Sequence, residues 1–523
     1  MIWKNPNAGA NTSLALTRPD HLESNGLKTH NNFAGANLVF APARHKRGTT
    51  MKHLERLLDR VIHRTKINLR EFDFDIDAHV RGLVPLDQFT RFYAYYGITS
   101  HHPIHFNFTN SALSGSYFLG KCSVANSILY KSDIRGDELK QTDEIFTFHD
   151  SSIVLDDDEM ISIKNSLLMK TLVHNFSHDP EKVDLFLIKN TIACPYANIH
   201  GSPVDGCFLG PFATIDLTTG HDVIIGPFSY VQTGSLAHTN VGPGRIWVKN
   251  GDIFDFKYKF DEEILMHYIG FAPGRGVMGR FIDFAEDLKT DFQRIYDVVH
   301  MEAPIEVPPG ASLNRYAVFQ GESRIEENVL VAQRAFVESS WLGKGANAQE
   351  NCYISHSHLE GYNVTAHGAT IIHARLKPKV FVGFNSFLQG KENAELTVGE
   401  SCIIMPHTII RIDRPLDIPP EHLVWGYIRN QEDFKNHSMS LDDFSKISDL
   451  LKKGNLQFKG DGSAFVQAFK NRIEHILEAN GAYFDGEKMS GHAQKGQNIS
   501  FNIIQPYPKG PREGLYPSIE INP

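Results

Sequence analysis

Four histidines crowd into the stretch YISHSHLEGYNVTAHGATIIHARL: His356, His358, His367 and His373. A carboxylate and two hydroxyls, Glu338, Ser339 and Ser340, lie a short way upstream. These residue types suit general-base chemistry. A carboxylate that accepts one ring N–H leaves the other ring nitrogen free to take a proton from a hydroxyl or an amine. Acyl transfer to such an acceptor needs that base and a donor for the developing oxyanion. His238, in GSLAHTN, is a second candidate base. APGRGVMGRF places Gly274, Gly276 and Gly279 in GxGxxG spacing ahead of a helix, with Arg275 and Arg280 beside them. No aliphatic strand precedes the glycines, which argues against a dinucleotide fold. A glycine loop at a helix start still favours an anion, such as the phosphates of coenzyme A or of a nucleotide sugar. Each group also has a plainer reading: histidines as polar residues on exposed faces, glycines as a turn. The charged run SDIRGDELK, with Asp133, Arg135 and Asp137, is either a solvated turn or part of a polar site.

The scaffold under these residues shows itself as a period. Aliphatic residues recur six apart: Leu209 and Ile215; Ile225, Val231 and Ala237; Ile325, Val331 and Val337; Leu342, Ala348 and Ile354; Ala366 and Ile372; Val382 and Leu388; Val398, Ile404 and Ile410. A short fixed period implies a solenoid. Six residues per face give a coil of three flat strands and about eighteen residues per turn, with turns about 4.8 Å apart. Gly, Asn, Asp and Pro between the aliphatics turn the corners. The alternative is a sandwich with regular turns, whose strands would be longer and alternate with period two. On the coil, His356 and His373, seventeen apart, share one face in adjacent turns, with Glu338 one turn earlier. The step from Val337 to Leu342 is five, so this alignment carries an error of one residue. His367 and His373 fall on different faces and should diverge. His407 stands at a corner that usually carries a small residue, so its ring must point outward, into a subunit seam or a site mouth.

LGPFAT, IGPFSY and VGESCI resemble the hexapeptide repeat of the left-handed parallel β-helix superfamily, and IIMPHTII followed by DIPPEHLVWGYIRN resembles the last coil and exit segment of its acyltransferases. The resemblance covers residues 104–250 and 304–428. It implies a left-handed coil, an exception to the usual crossover hand. It also implies a homotrimer with sites between neighbouring coils, a histidine base, and a coenzyme A thioester as donor. On that footing the catalytic candidates are His356, His358, His373, Glu338 and His238, and the candidates for binding the donor are Gly274, Arg275, Gly276 and Arg280. Some β-helix trimers resemble gamma-class carbonic anhydrases, which hold zinc through three histidines. In that setting His356 and His373 would need a third ring from a neighbour. No metal ligand set and no tightly bound cofactor is assigned from the sequence. Nothing in residues 1–100 resembles the nucleotidyltransferase domain of bifunctional sugar-phosphate enzymes.

The expected architecture is mainly β: an interrupted left-handed parallel β-helix with N-terminal, inserted and C-terminal α-helical elements. Residues 1–48 should be extended or poorly ordered, 49–103 a helical or mixed cap, 104–250 and 304–428 the two coil blocks, 251–303 an arm and helix, and 429–523 helices and tail. Net charge is −9, which speaks against nucleic acid as a partner. The five cysteines are scattered, which fits a reducing compartment. No segment has the run of about 20 apolar residues a membrane span requires, and MIWKNPNAGANTS has no apolar leader, so a cytoplasmic protein is expected. The leading function is acyl or acetyl transfer to a hydroxyl or amine of a small molecule, a sugar or sugar nucleotide. The alternatives are a non-catalytic scaffold or sugar-nucleotide-binding protein and, third, zinc-dependent hydration chemistry.

Overall fold

Two parallel β-helices lie in one chain. The computed structural model describes residues 44–89, 94–99, 101–102, 105–148, 151–289, 291, 306–497, 499–504 and 519–521. Most of the segment expected to be extended, residues 1–43, lies outside these described residues, as does the inserted helix's expected continuation through Phe292, Ile295 and Val299. Among the described residues no helix is long and apolar enough to cross a membrane.

The coils have different turn lengths. In the first, Ile192 pairs with Phe208 and Phe208 with Ile224, sixteen residues per turn. In the second, Phe336 pairs with Tyr353, Tyr353 with Thr370 and Thr370 with Phe387, seventeen per turn. Neither is the eighteen that three six-residue faces would give, because some faces take five residues. The buried inward residues Val331, Val337, Leu342, Ala348, Ile354 and Leu359 step by six, five, six, six and five. In the first coil, Ile225, Val231, Leu236 and Val241 step by six, five and five. Three expected inward positions shift accordingly. Leu236, not Ala237, enters the first core; in the second, Thr365 and not Ala366 stands in register with Ala348 and Val382, and Ile371, not Ile372, enters the core. The corners are turned by single residues with positive φ, such as Asn351 (60°), Asn385 (50°) and His407 (59°).

Helical pieces and strands close the ends. The long N-terminal helix Arg44–Asn68 buries Leu54, Leu57, Leu58, Val61 and Ile62 against the first coil. The aromatic segment Phe254–Lys259 is a strand antiparallel to Arg245–Asn250, and Leu456–Gly460 extends the same sheet. The sequence also predicts that Ser440 caps a helix carrying Phe444, Ile447 and Leu451; it does cap a helix, Leu441–Ser445, but one of a single turn. Leu451 sits instead in the strand Leu450–Lys453. The helix Gly462–Ala479 is capped by Asp461 and followed by Gly481 at φ 78°. A hairpin, Ile145–Phe148 with Ser151–Val154, interrupts the first coil.

Candidate active site

The outer face of the second coil carries a ladder of in-register residues: Glu338, Ser355, Ile372 and Gln389, one per turn. Beside it runs a corner column with positive φ: Ser339, His356 and His373. Period seventeen stacks each residue on its equivalent, so the His356 and His373 rings come to 5.0 Å between centroids. The Ser355 hydroxyl donates to Glu338 Oε2 at 2.7 Å. Ser355 Oγ lies 2.8 Å from His356 Nδ1. With its proton on Glu338, Ser355 can only accept from His356, so Nδ1 carries the ring proton and Nε2 presents a lone pair. The His356 side chain is 48% exposed, so that lone pair is accessible. Burial and the neighbouring His356 both lower the pKa of His373, which keeps its ring neutral. Tyr353 completes the corner: its hydroxyl is 3.4 Å from Glu338, and its ring packs edge-on against Phe284 of the inserted helix Arg280–Asp287.

The other candidates fall elsewhere. His358 lies on another face, its ring 3.7 Å from that of Trp341. His238 is exposed on the first coil, 3.7 Å from Asp222. The glycine segment is a hairpin, Gly270–Ala272 with Gly276–Met278. Gly274 N–H donates to the Ala78 carbonyl, so that amide is already engaged. Gly279, at φ 107°, must be glycine, because a Cβ there would meet Tyr268 backbone oxygen at 2.7 Å. Arg280 donates to Gln389 Oε1 at 3.1 Å. This anchors one arginine of the glycine segment to the ladder that holds Ser355, two turns away.

A second group of histidines is buried where the two coils meet. The first coil offers an outward column in which each polar residue follows an inward aliphatic: Arg135, His174, His200 and Asp216. The second coil inserts the corner residues Gln333, Glu350, His367 and Phe384, seventeen apart. Arg135 forms ion pairs with Asp137 and Glu350. Asp133, the first charged residue of that run, takes a hydrogen bond from Gln333 at 2.9 Å and pairs with Arg334 at 3.2 Å. SDIRGDELK therefore builds a polar site and not a solvated turn. His174, His200 and His367 converge, with ring centroids 5.1–5.4 Å apart. One nitrogen of each lies within 4.8 Å of the other two. The opposite nitrogens face carboxylates: His200 Nδ1 is 2.8 Å from Asp216, His367 Nδ1 2.8 Å from Glu350, and His174 Nε2 3.3 Å from Asp137. Burial alone would raise these carboxylates; Arg135, Arg472 and the imidazoles outweigh it and hold Asp137, Glu350 and Asp216 far below the usual range. His492, from the C-terminal segment, meets Glu138 at 2.7 Å.

His407 belongs to this seam too. Its ring does point outward from its own coil, but into the first coil of the same chain. Nε2 is 3.1 Å from Thr214 Oγ1, and the ring lies 4.6 Å from Phe228. Burial pushes its pKa down to about 3. Sequence reasoning singled out neither His174 nor His200. The available signal was their position one residue after Val173 and Ile199, where the outward column must run.

A family model for the hexapeptide repeat including loop matches residues 151–273. The chain is similar to a "putative acetyltransferase" from Desulfovibrio desulfuricans G20, known from a crystal structure. Identity is 50%, coverage is 90% of this chain and 99% of that one, and the TM-score is 0.85. A second "putative acetyltransferase", from Bacillus cereus, shares 14% identity over 31% of this chain and 88% of its own; with a TM-score of 0.14 it bears on nothing here. Among curated proteins none matches the chain.

Proposed function

Because the chain belongs to the hexapeptide-repeat superfamily of acyltransferase-like proteins, we propose that it moves an acyl group from a coenzyme A thioester to a hydroxyl or amine. The acceptor is a sugar or sugar nucleotide, and the site is the corner of Glu338, Ser355, His356 and His373. The observation that carries this reading is the hydrogen-bonded order Glu338–Ser355–His356 on an accessible face. His356 Nε2 takes the proton of the acceptor as its oxygen or nitrogen attacks the thioester carbonyl. The neutral His373 ring, one turn away, offers an N–H to the oxyanion. Collapse of the tetrahedral species breaks the C–S bond, and the proton returns from His356 to the departing thiolate. The cationic Arg275 and Arg280 of the glycine segment attract the donor's phosphates. Assembly as a homotrimer, with 58.9 kDa per chain, is part of the same reading, and light scattering reads it directly.

Thiol release from acetyl-coenzyme A, followed with a thiol reagent over a panel of sugars and sugar nucleotides, tests the function. The chain's own cysteines are all buried and contribute little background. A positive acceptor whose turnover falls by about 10²–10⁴ in His356→Gln supports the base. Full turnover in that variant moves the chemistry off this corner. No release with any acceptor, together with a thermal shift by a sugar nucleotide alone, leaves a binding protein.

A further inference from the structure

We propose that His174, His200 and His367 bind one divalent metal ion of the zinc type, and that the ion pins the two coils together. This is separate from the acyl-transfer corner and does not depend on it.

The argument begins with unpaired atoms. His174 Nδ1 and His367 Nε2 are buried with no hydrogen-bond partner. A buried polar atom left unpaired costs about 1–3 kcal/mol, and here two such nitrogens share one small volume with a nitrogen of His200. Three imidazole nitrogens turned toward one another repel unless a proton or a metal ion stands between them. Burial would lower the pKa of His174, but Asp137 beside it outweighs burial and raises it to about 9, so a proton competes with a metal there. The opposite nitrogens lie 2.8–3.3 Å from the carboxylates of Asp137, Asp216 and Glu350, with His367 Nδ1 close to Glu350 but outside hydrogen-bond geometry. A carboxylate behind each imidazole is the arrangement that orients metal-bound histidine and raises its basicity.

Charge points the same way. Asp137, Asp216 and Glu350 are buried carboxylates in contact with this group, and the part-buried Glu138 meets His492 beside it. The fixed cations are Arg135 and Arg472. Carboxylates outnumber these arginines, and a cation among the rings reduces the excess of negative charge. Three imidazoles and no thiolate select zinc or a neighbouring first-row ion over magnesium or calcium. Bonds of about 2.0–2.1 Å are reached by small rotations of rings now within 4.8 Å. The Phe384 ring, 5.2 Å from His200 and 5.3 Å from His367, shields one side. Two ligands come from the first coil and one from the second, so such an ion spans the seam. Its burial suits a clamp and not a site where substrate meets a metal-bound water.

The test uses the untagged full chain, stripped with a chelator and reloaded with cobalt(II) or zinc(II), with metal measured by mass spectrometry. The expected result is one ion per chain and a cobalt spectrum of a low-coordinate nitrogen-ligated ion. The exposed pair is the control: His356→Gln/His373→Gln should still hold one ion, whereas His367→Ala should lose at least tenfold in occupancy. If His367→Ala does not fold, the wild-type stoichiometry and cobalt spectrum decide. A wild-type chain that takes up less than about a tenth of an equivalent overturns the proposal. So does metal lost with the exposed pair and kept in His367→Ala.

Discussion

Two pairs of stacked histidines, made by the same coil geometry, meet opposite surroundings. His356 and His373 stack on an open corner of the second coil, where a serine stands between the ring and its carboxylate. His174 and His200 stack on the first coil under cover of the second, where each ring faces its carboxylate directly. The first arrangement leaves a lone pair exposed and mobile in protonation. The second fixes every ring from behind and shuts out water. A repeat places like residues in columns, and what covers the column decides what they can do.

The comparison is broken most severely from the buried side. Arg472, 17% exposed, pairs at 2.7 Å with the fully buried Asp216. Arg472→Leu strands that carboxylate and should destabilise the chain by about 3–5 kcal/mol, read by urea unfolding. The open corner should not feel it beyond the loss of folded protein.

Acid is the next lever. His407 titrates at about 3 in the folded chain, because burial disfavours its charged form. The unfolded chain takes up that proton near 6.5, so below this pH it binds more protons than the folded one. The stabilising effect of keeping this ring neutral is whole above 6.5 and is lost as pH falls toward 3. At about 1.4 kcal/mol per pKa unit this amounts to several kcal/mol. His407→Asn uses a residue that already turns the equivalent corner at Asn385. It should lower stability at pH 8 through lost packing on Phe228, yet flatten the acid limb, as melting temperatures across pH would record.

On the open corner a smaller change sharpens the picture. Ser355→Ala removes the group that fixes the His356 tautomer without removing the base. Turnover should fall about tenfold, with little change in KM and a displaced acid limb in the pH–rate profile. The smallest effect belongs to His238→Gln. That ring is 66% exposed and only 3.7 Å from Asp222, so stability should move by less than about 0.5 kcal/mol and turnover not at all.

The solenoid was legible because a stacked core needs an aliphatic residue at each inward position, and Val331, Val337, Leu342 and Ala348 supply them. The phase was less legible. A face of five residues and one of six differ only in the corner, and the corner residues Asn, Gly and His look alike in either. Hence the slips at Ala237, Ala366 and Ile372. The open corner could be assembled from the sequence since Ser339, His356 and His373 are one coil step apart and Glu338 immediately precedes Ser339. The buried centre could not, because Arg135 meets Glu350 and Asp216 meets Arg472 across more than two hundred residues. No period relates the two coils to each other. The choice of which column of one faces which corner of the other lies in packing between them.

Both coils belong to one polypeptide, and that alters how the seam depends on concentration. Where coils from separate molecules meet, dilution parts them and empties whatever lies between. Here the rings of His174, His200 and His367 are tethered, so their encounter is a first-order event. The centre should persist at the lowest expression level, whatever the number of copies that associate around it.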